Sequence, residues 1–195
     1  MKREYALLAY FDEKTEQEIK QLWIKLNELT ISDYGVSMQN RRPHLTLADY
    51  EDINIETLSL MLNQYFDDQV QIPIKFNGLG SFIGGNMLYL APTLTQPLFD
   101  LHSNYHKHFK DLNQNPNSYY LPDCWVPHCT IAGRLSNETM LQAFEYCQKN
   151  FPCTHATITE IGLTEVIFNE EGIIIKEQSI ISKQLTPITK EKTGS

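Results

Sequence analysis

The chain predicts an α+β fold of two related lobes, and three observations carry that reading. A proline–histidine–x–threonine strand occurs twice, as "RPHLTLADY" and "VPHCTIAG". Each half of the chain runs helix, P-H-x-T strand, helix, then further strands, the helices marked by 3.6-residue apolar spacing. The chain closes on two long apolar segments turned at "NEEG", the pattern of a hairpin.

Taken in order, residues 5–12 read as a mostly apolar strand. Residues 13–30 read as an amphipathic helix with Ile19, Leu22, Ile24 and Leu26 toward the core. The first motif strand follows, then a helix over 55–68. Strands at 71–83 and 86–92 are joined through Gly84, Gly85 and Asn86, and the first half ends near Pro92. The second half opens with a helix over 96–112 and a polar loop, then reaches the second motif. A helix over 137–150 with Asn137 or Ser136 as its cap precedes the closing hairpin, 156–168 and 172–182. Residues 1–185 are expected to form one bilobal domain and 186–195 a mobile tail.

At 195 residues, with 42% apolar and 21% charged residues, the composition is that of an ordinary globular protein. No apolar run reaches the roughly 20 residues that span a bilayer, and Asp12 and Glu13 interrupt the start too early for a secretory signal; a cytoplasmic protein with no membrane partner is expected. Cys124, Cys129, Cys147 and Cys153 lack C-x-x-C spacing, so buried thiols are expected rather than a zinc site or disulfides. A net charge of −8 argues against tracking long duplex nucleic acid, which needs many Lys and Arg contacts; a small nucleotide or an RNA end needs only local donors. A monomer is expected.

Random placement of 6 His and 15 Thr would give about half an H-x-T match, and three are present. On a strand, residues i and i+2 share a face, so His44 and Thr46, and His128 and Thr130, can each lean into one pocket. His155, in "THATI", is the third copy. It lacks the preceding proline and lies in a threonine-rich segment, so the pair at Pro43 and Pro127 is preferred. Proline suits the entry of an edge strand and would set both motifs alike. His102 and His106 stand four apart on a helix, with His108 beyond. No carboxylate lies between His102 and His106, and a solvated helix face is the expected reading. "GLGSFIGG" misses the dinucleotide-binding spacing and reads as a hairpin.

Two imidazoles facing one another suit phosphoester chemistry: one removes a proton from the attacking oxygen and the other protonates the leaving oxygen. Threonine hydroxyls beside them would meet the charge that builds on the phosphoryl oxygens. With "HLTL" (44–47) and "HCTI" (128–131), 84 residues apart, the chain resembles the two-histidine phosphoesterase superfamily, near its 2′-5′ RNA ligase and cyclic nucleotide phosphodiesterase group. The resemblance covers about residues 5–182. It implies a bilobal fold of two pseudo-symmetric lobes of antiparallel sheet, with helices outside and a central cleft. It also implies metal- and cofactor-independent work on 2′,3′-cyclic phosphates or 2′-5′ linkages, with His44 and His128 as acid and base and Thr46 and Thr130 as phosphate ligands.

Here the sequence departs from the group, whose H-x-T-x-x-R pattern would put a basic residue where this chain has Gly133, with Arg134 one place later. On a strand that shift changes the face, so Arg134 reaches a phosphate only across a bulge. Arg41 and Arg42 are further candidates, and Trp125, Tyr50 and Tyr89 could stack a base or fill the core. Hydrolysis is the leading activity. Rivals are RNA-end ligation, a nucleotide-binding module without turnover and, more remotely, a metallohydrolase on the His102 helix.

Overall fold

The structure, a computed structural model, describes residues 1–112 and 115–188. The expected tail beyond 188 lies outside them. The elements run β1 (Lys2–Phe11), α1 (Glu13–Glu28), β2 (His44–Tyr50), α2 (Ile55–Tyr65), β3 (Ile72–Gly80), β4 (Leu88–Pro92), α3 (Gln96–His108), β5 (Cys129–Ala132), α4 (Asn137–Asn150), β6 (Thr154–Phe168) and β7 (Ile174–Gln184).

The strands form one antiparallel seven-stranded sheet in the order β2-β1-β6-β3-β4-β5, with β7 also on β6. Strand β6 divides it. Its first part, Thr154–Ile158, pairs with β3; its second, Glu160–Phe168, pairs with β7, while β1 runs along its opposite edge. An extra residue, Thr159, marks the change, because Phe11 faces Ile158 whereas Tyr10 faces Glu160. Such a bulge bends a strand and increases its twist. The lobes are therefore β2-β1-β6-β7 and β6-β3-β4-β5, sharing one strand and ending on the two motif strands.

This corrects the expected division at Pro92. Strands β3 and β4 belong with the second motif, and the closing hairpin returns to the first. A lobe is bounded by which strand edges find partners, not by position along the chain.

Helix α1 buries Ile19, Leu22, Trp23 and Leu26, whereas Ile24 is 38% exposed, against expectation. Positions 19, 22, 23 and 26 fall on one stripe at 3.6 residues per turn; 24 lies about 200° from 22 and turns away. Asp12 caps this helix through Thr15 N–H (3.0 Å) and also accepts from Thr157 N–H (2.7 Å), tying its start to β6. Ser136 and Thr139 form a reciprocal capping box at α4. In β2 the alternation puts Leu45 and Leu47 in the core with no exposed surface, leaving His44 and Thr46 half-buried on the other face. Truncating either leucine to alanine is expected to cost about 2–5 kcal/mol. Among the described residues no helix is long and apolar enough to cross a membrane.

Candidate active site

Both motif strands are sheet edges, and the two come together across a cavity of about 280 Å³ lined by His44, Thr46, His128 and Thr130. The histidines are held alike. Nδ1–H of His44 donates to the carbonyl of Arg42 at 2.7 Å, and Nδ1–H of His128 donates to the carbonyl of Val126 at 2.7 Å, each two residues back. A carbonyl only accepts, so Nδ1 carries the proton in both rings and Nε2 is the nitrogen left for chemistry. The prolines between donor and acceptor, Pro43 and Pro127, hold the backbone that makes this turn.

Burial pushes both imidazoles below the ordinary histidine value. At His44 the Arg42 carbonyl and Glu177 pull back upward, while Arg41 and the His128 ring push further down. The His44 ring thus feels the charge of His128. Tyr10 from β1 stands edge-on to His44 at 6.2 Å, and Phe82 edge-on to His128 at 4.9 Å, with Tyr89 at 5.2 Å.

A second duplicated feature escaped the sequence reading. Tyr34, ahead of the first motif, stands beside the hydroxyl of Thr130 in the second; Tyr120, ahead of the second, stands beside that of Thr46 in the first. Both tyrosines line the cavity. Each is preceded two residues earlier by a serine whose Oγ accepts from the tyrosine N–H, at 3.3 Å for Ser32 and 3.1 Å for Ser118. Each serine then bonds the residue five past the other lobe's histidine. Ser32 Oγ accepts from Gly133 N–H at 3.2 Å and lies 3.3 Å from its carbonyl, and Ser118 Oγ–H donates to Asp49. Two S-x-Y segments therefore cross to brace opposite motifs. Their signal was legible as "ISDYG" and "NSYYL", at 10 and 8 residues before the histidines. Burial pushes Tyr34 up to about 12 and raises Tyr120 as well, so both phenols keep their protons at neutral pH.

In β2 an irregularity in the pairing, with Leu7 facing Ala48 and Leu8 facing Thr46, inserts Leu47 and reverses the alternation beyond it. Asp49 thereby joins His44 and Thr46 on the cavity face. In β5 the strand ends at Ala132, and Gly133 lines the cavity; a Cβ there would come within 3.0 Å of the Tyr34 ring. Glycine at this position lets Tyr34 reach Thr130.

The other sequence candidates fall outside the cavity lining. Arg134 turns away with φ +57°, and its guanidinium meets Asp33 at 3.0 Å. Trp125 packs behind β2, its Nε1–H donating to the Thr46 carbonyl at 2.9 Å and its ring stacked on His102 at 3.9 Å. Arg41 is buried on Glu177 (2.6 Å) and lies over the Tyr34 ring; Arg42 lies over Tyr10 and is held by Glu16 and Glu160. Tyr50 is buried against Tyr105, and His155 is exposed on β6. The expected solvated face at His102 and His106 is overturned: the two are only 2% and 3% exposed. Their Nε2–H groups donate to the carbonyls of Tyr120 (2.7 Å) and Leu47 (2.9 Å), so α3 braces both the crossing loop and the β2 irregularity. Burial lowers His102 to about 4, fixing it neutral. Among the described residues no group of three or more His, Cys, Asp or Glu side chains is placed to hold a metal ion.

Solved structures share this fold, among them these three. E. coli LigT in its apo form aligns with a TM-score of 0.62 at 15% identity, covering 95% of this chain and 98% of that one. The same protein complexed with 3′-AMP gives 0.63 at 15%, covering 95% and 99%. TT0787 of Thermus thermophilus gives 0.61 at 13%, covering 96% and 99%. No curated protein matches the chain in sequence. The sequence profile of the 2′-5′ RNA ligase superfamily matches residues 11–166, four-fifths of the chain and both motifs, and the protein belongs to that superfamily.

Proposed function

We propose that this protein is a metal-independent phosphoesterase that hydrolyses a 2′,3′-cyclic phosphate or 2′-5′ phosphodiester of a small nucleotide or RNA end, acting as a cytoplasmic monomer. The observation that carries the reading is the matched anchoring of His44 and His128, each tied through Nδ1 to a carbonyl two residues back, on the walls of one cavity. Neutral Nε2 of one histidine takes a proton from water as its oxygen bonds to phosphorus. The other, protonated, gives its proton to the ribose oxygen as the P–O bond breaks, and a phosphomonoester leaves. Thr46 and Thr130 donate to the nonbridging oxygens, and the phenols of Tyr120 and Tyr34 stand beside those hydroxyls. E. coli LigT, solved with 3′-AMP, accommodates a nucleoside monophosphate on this fold.

The test is hydrolysis of nucleoside 2′,3′-cyclic phosphates and short 2′-5′ oligonucleotides in EDTA. Wild type is expected to turn over at least one, and His44→Ala and His128→Ala each to lose about 10²–10⁴-fold in kcat. Activity persisting in both variants overturns the assignment. The superfamily's description favours a second reading, RNA-end joining by the reverse reaction. It requires joined product from cyclic-phosphate and 5′-hydroxyl RNA ends.

A further inference from the structure

A cavity that holds a phosphate is ordinarily ringed by guanidinium or ammonium groups; this one is not. Among the described residues no lysine or arginine lines it, whereas three carboxylates do: Glu4, Asp49 and Glu177. The arginines nearby are already held, Arg41 by Glu177 at 2.6 Å, Arg42 by Glu16 and Glu160 at 2.7 and 2.8 Å, and Arg134 by Asp33. Lys2 binds Glu4 and Glu51 at 2.6 and 2.8 Å, and Lys176 lines the neighbouring cavity that also borders His44, outside this one. Among the described residues, what remains within the cavity for an anion is one imidazolium and neutral donors, the hydroxyls of Thr46 and Thr130 and the phenols of Tyr34 and Tyr120. That set balances a single negative charge.

The imbalance has a direction. Five residues past His128 the chain has Gly133, and five past His44 it has Asp49, turned onto the cavity face by the β2 irregularity and bonded to the Ser118 hydroxyl, a neutral donor. The acidic wall therefore stands on the His44 side, with Glu4 from the neighbouring strand β1.

Resting on the proposed function, we infer that the site is a charge filter: it takes a nucleoside cyclic phosphate whose phosphodiester is its only charge, and rejects substrates carrying a further phosphate. Donors on the remainder of the substrate, ribose hydroxyls or a base amino group, face Asp49 and Glu4. A 5′-phosphate, near −2 at neutral pH, meets Asp49, whose side-chain partner is the neutral Ser118 hydroxyl, and Glu4, whose charge is already shared with Lys2. The same repulsion applies to the next phosphodiester of an RNA end, so a free mononucleoside cyclic phosphate is preferred to an RNA terminus.

The experiment compares adenosine 2′,3′-cyclic phosphate with its 5′-phosphorylated counterpart and with a dinucleotide ending in the cyclic phosphate. It measures kcat/KM at fixed low salt, and calorimetric binding to the His128→Ala protein. Wild type is expected to favour the 5′-hydroxyl mononucleoside at least about tenfold over the 5′-phosphate. Asp49→Asn and Glu4→Gln, each checked for an unchanged melting curve, are expected to narrow that ratio severalfold. Equal or better use of the 5′-phosphorylated compound overturns the filter. A ratio that neither variant moves overturns its assignment to these carboxylates. If nothing is turned over but the 5′-hydroxyl compound still binds at least tenfold tighter, the proposed hydrolysis fails while the filter stands. If neither compound binds, both fail.

Discussion

The two walls of the cleft are built to one plan and finished differently. Each offers an edge strand with Pro-His-x-Thr, a histidine anchored through Nδ1, and a threonine flanked by the tyrosine of an S-x-Y segment from the opposite side. They part at the fifth residue past the histidine. Asp49 puts a carboxylate on the cavity face, whereas Gly133 gives only backbone and the space that the Tyr34 ring occupies. In the proposed reaction the matched parts handle the phosphorus centre, which is itself nearly symmetric in its nonbridging oxygens, and the unmatched parts meet the rest of the substrate, which is not. On that proposal, acid and base roles are set by how the substrate lies against the unequal walls.

Experiments can break this comparison, taken from largest effect to smallest. Replacing either histidine by alanine is expected to lower kcat by about 10²–10⁴-fold. The double variant should lose little more than the worse single one, because groups acting as a unit are not additive; losses that multiply would mean two independent sites. Thr46→Val and Thr130→Val are each expected to cost about 10²-fold in kcat, in line with the loss of one oxyanion donor, with KM moving less.

The crossed bracing is sharpened by double-mutant cycles. Tyr34→Phe with Thr130→Val, and Tyr120→Phe with Thr46→Val, should show coupling of about 0.5–1.5 kcal/mol, within the range for side chains that are neighbours. The uncrossed pairs, Tyr34 with Thr46 and Tyr120 with Thr130, should add. Coupling within the uncrossed pairs would refute the crossing.

The pH behaviour follows from both imidazoles lying below the ordinary value of 6.5. One must be protonated for turnover, so kcat/KM should fall as pH rises from about 6.5 to 8, approaching about tenfold per unit. Stability runs the other way. His102 is lowered to about 4 by burial, so the unfolded chain binds its proton first. Its stabilisation is present above about pH 6.5 and is lost as pH falls toward 4, on the order of 3 kcal/mol. His102→Gln should flatten that part of a melting-temperature series. Smallest of all, Arg134→Gln removes an exposed pair with Asp33 and should change stability by less than about 1 kcal/mol.

Much of the fold was legible because helices and strands write their periods into the sequence. The start of α4, the hairpin at "NEEG" and both motif strands could be read directly, while Ser136 settles a cap that the sequence left open with Asn137. What hid was non-local. The polar-looking histidines of α3 are buried because their ring nitrogens meet carbonyls of Leu47 and Tyr120, partners that no local pattern names. The lobes do not follow the halves of the chain, because strand pairing is decided across the sheet. Within the site, the H-x-T pairs were visible by repetition, and the S-x-Y pairs repeat as plainly but at unequal distances, 10 and 8, which conceals them from a fixed-spacing search. Trp125 and the three arginines illustrate the opposite error. Their chemistry suits a nucleotide, yet each is committed to a protein partner.

Strand β6 lies at the centre of the sheet but near the end of the chain. A growing polypeptide emerging from the ribosome would therefore carry β1 and β2 for over a hundred residues with one flank of β1 open, a surface prone to wrong pairing. Shortened chains ending before Thr154 are expected to be protease-sensitive throughout, and those reaching Gln184 to become resistant in a single step.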